Sequence, residues 1–215
     1  MTSSVEYQMS ALMSVLKIDR SRGAGPVPTY SSAHVLLVLM TIGDSVSIGR
    51  QALSKEVGLG EGAIRTVIKW FRAGGYVKVN ANGCLLTPKG NQAYSELKKL
   101  IPRILVLPRT TLTVGKIQVA AVVRKKSSRV RSGIEQRDSA VKAGASGATT
   151  YLFRGSSFEI PGSPGDAERA FPSESWTKLR SGLEPEEGDV VIVCGSDEKR
   201  IALIGVISAA LTLLG

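Results

Sequence analysis

Apolar positions along the chain change period several times, and each change marks an element. Val5, Met9, Leu12, Met13 and Leu16 recur at helical spacing, which predicts a short amphipathic helix followed by a Gly- and Pro-containing linker over 19–29. A helix this short is marginal alone, so its apolar face needs either the rest of its domain or the same helix of a second subunit. Ser31 or Ser32 caps a helix reaching residue 40, and a polar stretch with Gly43 and Asp44 leads into a short strand, Val46-Ser47-Ile48. Helices over 50–57 and 61–73 follow. The first stops at Gly58 and the second at Gly74-Gly75, where glycine suits a helix C-terminus. Two helices joined by three residues form a helix-turn-helix. A strand over 76–79, a tight turn over 80–83 ending in Asn-Gly and a return strand over 84–87 make a hairpin. Thr87-Pro88 then supplies the cap and first-turn proline of a helix to about residue 100.

After Pro102 the pattern changes to strands over 112–124, 148–154 and 158–160 around a helix over 133–143. A helix over 174–181, a strand over 189–194 and an apolar helix over 199–213 complete it. The expected fold class is therefore α+β, an N-terminal winged helix-turn-helix domain followed by a small α+β domain. The division is 1–30 for the N-terminal helix and linker, 31–101 for the winged helix and 102–215 for the second domain. The apolar run 201–214 is shorter than the roughly 20 residues that span a bilayer. It follows Asp197-Glu198-Lys199-Arg200, so a buried helix and no membrane partner are expected.

The 215 residues are 43% hydrophobic, enough for packed cores, and the formal net charge of +10 points to a polyanionic partner. Cys84 and Cys194, far apart and in strand-like segments, make neither a disulfide framework nor a metal-ligand spacing. With no signal-peptide pattern at the N-terminus, a cytoplasmic location is expected, without metal or cofactor.

The charge acquires a place in the helix over 61–73. Ile64, Val67, Ile68 and Phe71 make one apolar face, while Arg65, Lys69 and Arg72 fall at i, i+4 and i+7 on another. In a helix-turn-helix the second helix enters the major groove with its N-terminal residues at base edges. Arg65 and Thr66, in its first turns, are therefore the candidate base contacts. Lys69 and Arg72, with Arg50 and Lys55 on the preceding helix and Lys78 on the hairpin, are candidate phosphate contacts. A solvated helix face explains such a stripe equally well when the stripe stands alone; the complete motif favours double-stranded DNA as partner. A homodimer is also expected, since helix-turn-helix proteins pair to reach two half-sites and the 199–213 helix is apolar nearly all round.

A second basic region spans 103–142, with 10 Lys/Arg against 2 acids, and centres on Arg124-Lys125-Lys126 and Arg129-Val130-Arg131. Residues 143–215 carry 6 against 10. The basic segment is either a solubilising surface or a phosphate site. Arg131, Arg137, Asp138, Gly144, Gly147 and Thr149 are candidate contacts for an anionic effector, because glycines admit close backbone approach and Arg pairs with anions. A surface ion pair and a helix-to-strand turn are the bland alternative.

Five stretches carry a family resemblance. Leu59-Gly60-Glu61-Gly62-Ala63-Ile64-Arg65-Thr66 and Gly83-Cys84-Leu85-Leu86-Thr87-Pro88-Lys89-Gly90, with Ile134-Glu135-Gln136-Arg137-Asp138-Ser139-Ala140, Gly144-Ala145-Ser146-Gly147-Ala148 and Glu187-Gly188-Asp189-Val190-Val191-Ile192, resemble archaeal winged-helix proteins with an uncharacterised C-terminal domain. The resemblance covers roughly 32–210. It implies a transcription regulator and supplies neither ligand nor catalytic residue.

The rival classes are an enzyme with a fused winged helix, acting on a nucleotide or phosphorylated metabolite, and a winged helix used for RNA or protein binding. No phosphate-binding glycine motif, nucleophile elbow or metal-ligand cluster appears, and Asp138, Asp189 and Asp197 lack an acid/base spacing. His34, in an apolar helix, reads as structural. No catalytic residue is assigned.

Overall fold

A computed structural model of the chain describes residues 10–18, 30–163 and 165–214. The predicted linker 19–29 and the first two apolar positions of the N-terminal helix, Val5 and Met9, lie outside them. The chain divides into two compact units, Met1–Lys98 and Lys99–Gly215.

In the first unit, α1 (Ser10–Ile18) buries Ala11, Leu12 and Val15 against α2 (Ser32–Gly43). The Leu12 amide donates to Glu96 Oε2 at 2.9 Å. Of the two partners open to this helix, its own unit is the one it meets. The central helix α2 is buried from Val35 to Met40 on all sides. The Ser31 amide donates to His34 Nδ1 at 3.1 Å, and the Ser31 hydroxyl lies 3.0 Å from the same nitrogen. His34 is thus a helix-capping group whose acceptor nitrogen must be unprotonated.

Burial pushes the His34 pKa below its ordinary 6.5. The unfolded chain then binds more protons than the folded one as pH falls through that value, so stability present above 6.5 is lost on acidification. The chain has one histidine. We expect wild type to lose about 0.5–1 kcal/mol more than His34→Gln between about pH 7.5 and about pH 5.5, the size of a cap. Parallel denaturant-unfolding series for the two proteins would contradict this.

The helices α3 (Arg50–Val57) and α4 (Glu61–Ala73) follow, then β1 (Val77–Asn80), β2 (Gly83–Leu86) and α5 (Pro88–Leu100). The Gly90 amide donates to Thr87 Oγ1 at 3.1 Å, the expected cap of α5. The expected strand at 46–48 shrinks to one bridge, Ile48 with Cys84, because Val46 faces solvent and contributes no packing.

The second unit is a five-stranded antiparallel sheet of β3 (Ile104–Leu107), β4 (Ile117–Val123), β5 (Gly147–Arg154), β6 (Ser157–Glu159) and β7 (Val190–Ser196), in the order β3-β4-β7-β5-β6. The helices α6 (Ile134–Lys142) and α9 (Lys199–Leu211) cover one face. On the other, α8 (Ser175–Leu183), preceded by the short α7 (Ala167–Ala170), packs Trp176, Leu179 and Leu183 on Ala120, Val122, Tyr151, Phe153, Val191 and Val193. Both faces are covered, so β4 and β7 are apolar without alternation.

Two expectations are corrected here. The strand drawn over 112–124 starts only at Ile117: the preceding loop turns at Gly115, with φ of +108°, where a Cβ would stand 2.5 Å from the Ser196 amide nitrogen. The strand β3 went unpredicted because Pro102 and Pro108 bracket its four residues; prolines punctuate an edge strand as readily as a linker.

Candidate nucleic-acid interface

The helix pair is set by its turn. Gly58 closes α3 in the left-handed region at φ of +79°, its amide donating to Ser54 O at 2.9 Å. Leu59 is buried beneath the turn, and Ser54 Oγ donates to its carbonyl. Gly60 then opens α4, whose Ile64, Val67, Ile68 and Phe71 are buried in the unit's core. Burial of this face fixes the opposite one outward.

On that outward face Arg65, Lys69 and Arg72 are all exposed, as are Arg50, Lys55 and Lys78 on α3 and β1. Among the described residues, Arg50, Arg65, Lys69, Arg72 and Lys78 make no ion pair within 4 Å. Thr66 differs from the expectation of a side chain free to read bases. It is half-buried, and its hydroxyl donates to Gly62 O at 3.0 Å one turn back. Its proton is committed within the helix, and only its oxygen lone pairs remain for a partner.

The hairpin stands beside this face. β1 and β2 pair with Asn80 opposite Gly83, leaving Ala81 and Asn82 as the two-residue tip. The Asn82 amide donates to Asn80 Oδ1 at 2.9 Å. Gly83 has φ of +125°, and a Cβ there would come within 2.5 Å of Ile48 O, so glycine is required for the bridge to Cys84. Burial raises the Cys84 thiol pKa, while the guanidiniums of Arg50 and Arg72 pull it back. Those two cations, from different helices, therefore both act near Cys84, one pair in from the hairpin's tip.

A cleft of about 320 Å³ lies between the starts of α3 and α4, lined by Gly49, Arg50, Gln51, Glu61 and Arg65. Arg50 and Arg65 were singled out from the sequence; Gln51 and Glu61 were not. Their signal was position, since both occupy the first turn of a helix of the motif.

The effector candidates of the second unit fall on different elements. Arg137 pairs with its neighbour Asp138 at 3.0 Å, both about half exposed on α6. Gly144 turns the chain between α6 and β5 at φ of +97°. Gly147 is packed so that a Cβ would meet Val114 at 2.7 Å. Thr149 shares its side of β5 with Tyr151, in the core beneath α8, whereas its neighbour Thr150 lies under the start of α6 beside Gly133. Arg131 is exposed on the segment before α6.

The basic segment is partly occupied by the fold. Arg124 Nη1 donates to the buried Asp189 at 2.5 Å, and Lys125 Nζ to Glu187 O at 2.7 Å, with Glu186 3.4 Å away. The Lys126 pKa is lowered by burial and then by the nearby Arg129. Among the described residues no three His, Cys, Asp or Glu side chains are grouped to hold a metal, and no helix is long and apolar enough to cross a membrane.

Residues 36–101 match the family model described as the CggR N-terminal DNA binding domain, and residues 114–213 match a domain of unknown function, DUF4443. No curated protein matches the chain. Among solved structures it is similar to a hypothetical protein from Pyrococcus horikoshii OT3, with a TM-score of 0.71 at 24% identity over 86% of this chain and 92% of that one. The chain thus has a helix-turn-helix domain similar to a DNA-binding domain, followed by an α+β domain similar to DUF4443.

Proposed function

We propose that the chain is a DNA-binding transcription regulator whose α4 lies in the major groove. The observation that carries this is the exposed stripe of Arg65, Lys69 and Arg72 opposite a fully buried apolar face. Arg65, nearest the helix start, reads bases; Lys69, Arg72, Arg50, Lys55 and Lys78 hold phosphates. The similarity of residues 36–101 to a DNA-binding domain supports the same reading. The protein acts in the cytoplasm as a homodimer and performs no catalysis. For the second unit we favour self-association over metabolite sensing. Ile134 and Val141, at i and i+7 of α6, are each about half exposed, and Thr149 lies on the opposite face of β5 from α6.

Titration of duplex DNA across a salt series tests the reading. Affinity should fall with log salt at a slope of about −4 to −6, from roughly 0.9 per neutralised phosphate. Arg65→Ala should cost about 1–3 kcal/mol and relax sequence preference, whereas Lys69→Ala should weaken all sequences alike and reduce the slope by about 1. A salt-independent interaction, or equal competition by RNA duplex, would argue for a protein-binding or RNA-binding domain instead.

A further inference from the structure

The start of α4 places glycine on both sides of Glu61, Gly60 at the N-cap and Gly62 inside the first turn. A Cβ added at Gly60 or Gly62 meets nothing within 4 Å, and neither residue has a positive φ. Gly62 sits inside the helix, where glycine is destabilising relative to alanine. Gly49, at the same cleft, is equally open. Gly60 and Gly49 serve as N-caps, whereas Gly62 has no conformational or packing role in its own chain and suits the close approach of another molecule.

Glu61 projects from this cleared ground. It is exposed, lines the cleft with Arg50, Gln51 and Arg65, and makes no ion pair among the described residues. It shares a stripe of α4 with Arg65 and Arg72, at i, i+4 and i+11. A carboxylate on a face turned to phosphates is repelled unless it meets a hydrogen-bond donor. The major groove offers such a donor in the cytosine N4 amino group, for which Glu is a matching acceptor. We propose that Glu61 is a specificity-determining residue whose carboxylate accepts from N4 of a cytosine, with Gly60 and Gly62 keeping its approach clear. This rests on the reading of α4 as the major-groove helix.

The test selects bound sequences from randomised duplexes with full-length wild type, Glu61→Ala and Gly62→Leu. Wild type should select a cytosine at a fixed position. Glu61→Ala, which leaves no acceptor, should still bind duplex but lose that preference by about tenfold or more. Gly62→Leu should melt no lower than wild type yet bind the selected site at least about tenfold more weakly, since an added Cβ meets nothing within 4 Å. Retention of the cytosine preference in Glu61→Ala overturns the proposal, even if affinity rises uniformly through lost repulsion or the melting temperature falls through a lost helix-dipole contact. So does undiminished binding by Gly62→Leu, or the absence of any selected cytosine. Failure of wild type to bind duplex at all removes the underlying reading together with this proposal, whereas the other outcomes remove this proposal alone.

Discussion

Replacing Asp189 with alanine is expected to destabilise the second unit by roughly 3–5 kcal/mol, the cost of breaking a buried ion pair and leaving two amides without their acceptor. Its carboxylate is fully buried and accepts three hydrogen bonds: from Arg124 Nη1 at 2.5 Å, the Lys125 amide at 2.9 Å and the Glu186 amide at 2.7 Å. The end of β4 is thereby tied to the turn that starts β7, the strand at the centre of the sheet. Alanine would orphan two amides and leave a guanidinium that is only 20% exposed with Glu184 O at 3.0 Å and the exposed Glu186 at 3.6 Å as its remaining partners. Asp189→Asn should fare little better, because the carboxamide offers one acceptor oxygen where the carboxylate uses two, and turns its NH₂ toward a donor. For a unit of this size a loss of about 3 kcal/mol lowers the melting temperature by roughly 10 °C or more. Asp138→Ala, which removes an ion pair about half exposed on both sides, should cost under about 1 kcal/mol. Calorimetry that finds both variants within a few degrees of wild type would show the Asp189 network to be dispensable.

This contrast marks where the sequence was readable. Asp189 follows the acidic run Glu184, Glu186 and Glu187 and Asp138 stands beside Arg137, and nothing local marks the first as the buried anchor and the second as a surface partner. The difference arises from long-range pairing, with β7 inserted between β4 and β5. The same cause hid β3 and misplaced the start of β4, whose limits are set by neighbours in the sheet and by the Gly115 turn against Ser196. The helix-turn-helix was legible because its determinants are local. Gly58 ends one helix, Gly74 and Gly75 follow the next, and the apolar spacing of Ile64, Val67, Ile68 and Phe71 dictates which face turns outward. Thr66 shows the limit of that reasoning, since spacing put it in the first turns without revealing that its hydroxyl bonds to Gly62. The effector site was read from composition alone, and strand alternation separates Thr149 from the residues of α6 with which it was grouped.

The variant in which Arg65, Lys69 and Arg72 are all alanine is expected to keep its fold and lose duplex binding. All three side chains are exposed and outside the core, and surface substitutions of this kind usually change stability by no more than about 0.5 kcal/mol each. Alanine is also the strongest helix former, so α4 should remain formed. The binding loss combines two unlike contributions. Arg65 should account for about 1–3 kcal/mol as a base contact, and Lys69 and Arg72 for two released counterions. Together they predict a fall of about a hundredfold or more at physiological salt, and a salt slope shallower by about 2. The slope matters more than the affinity, because a disturbed fold would lower affinity without a matching change in slope. Circular dichroism and thermal unfolding fix the first point, and fluorescence anisotropy on labelled duplex across a salt series fixes the second. If the folded triple variant binds DNA as wild type does, then α4 is not the helix that meets the phosphates, and the net charge of +10 must act through another surface.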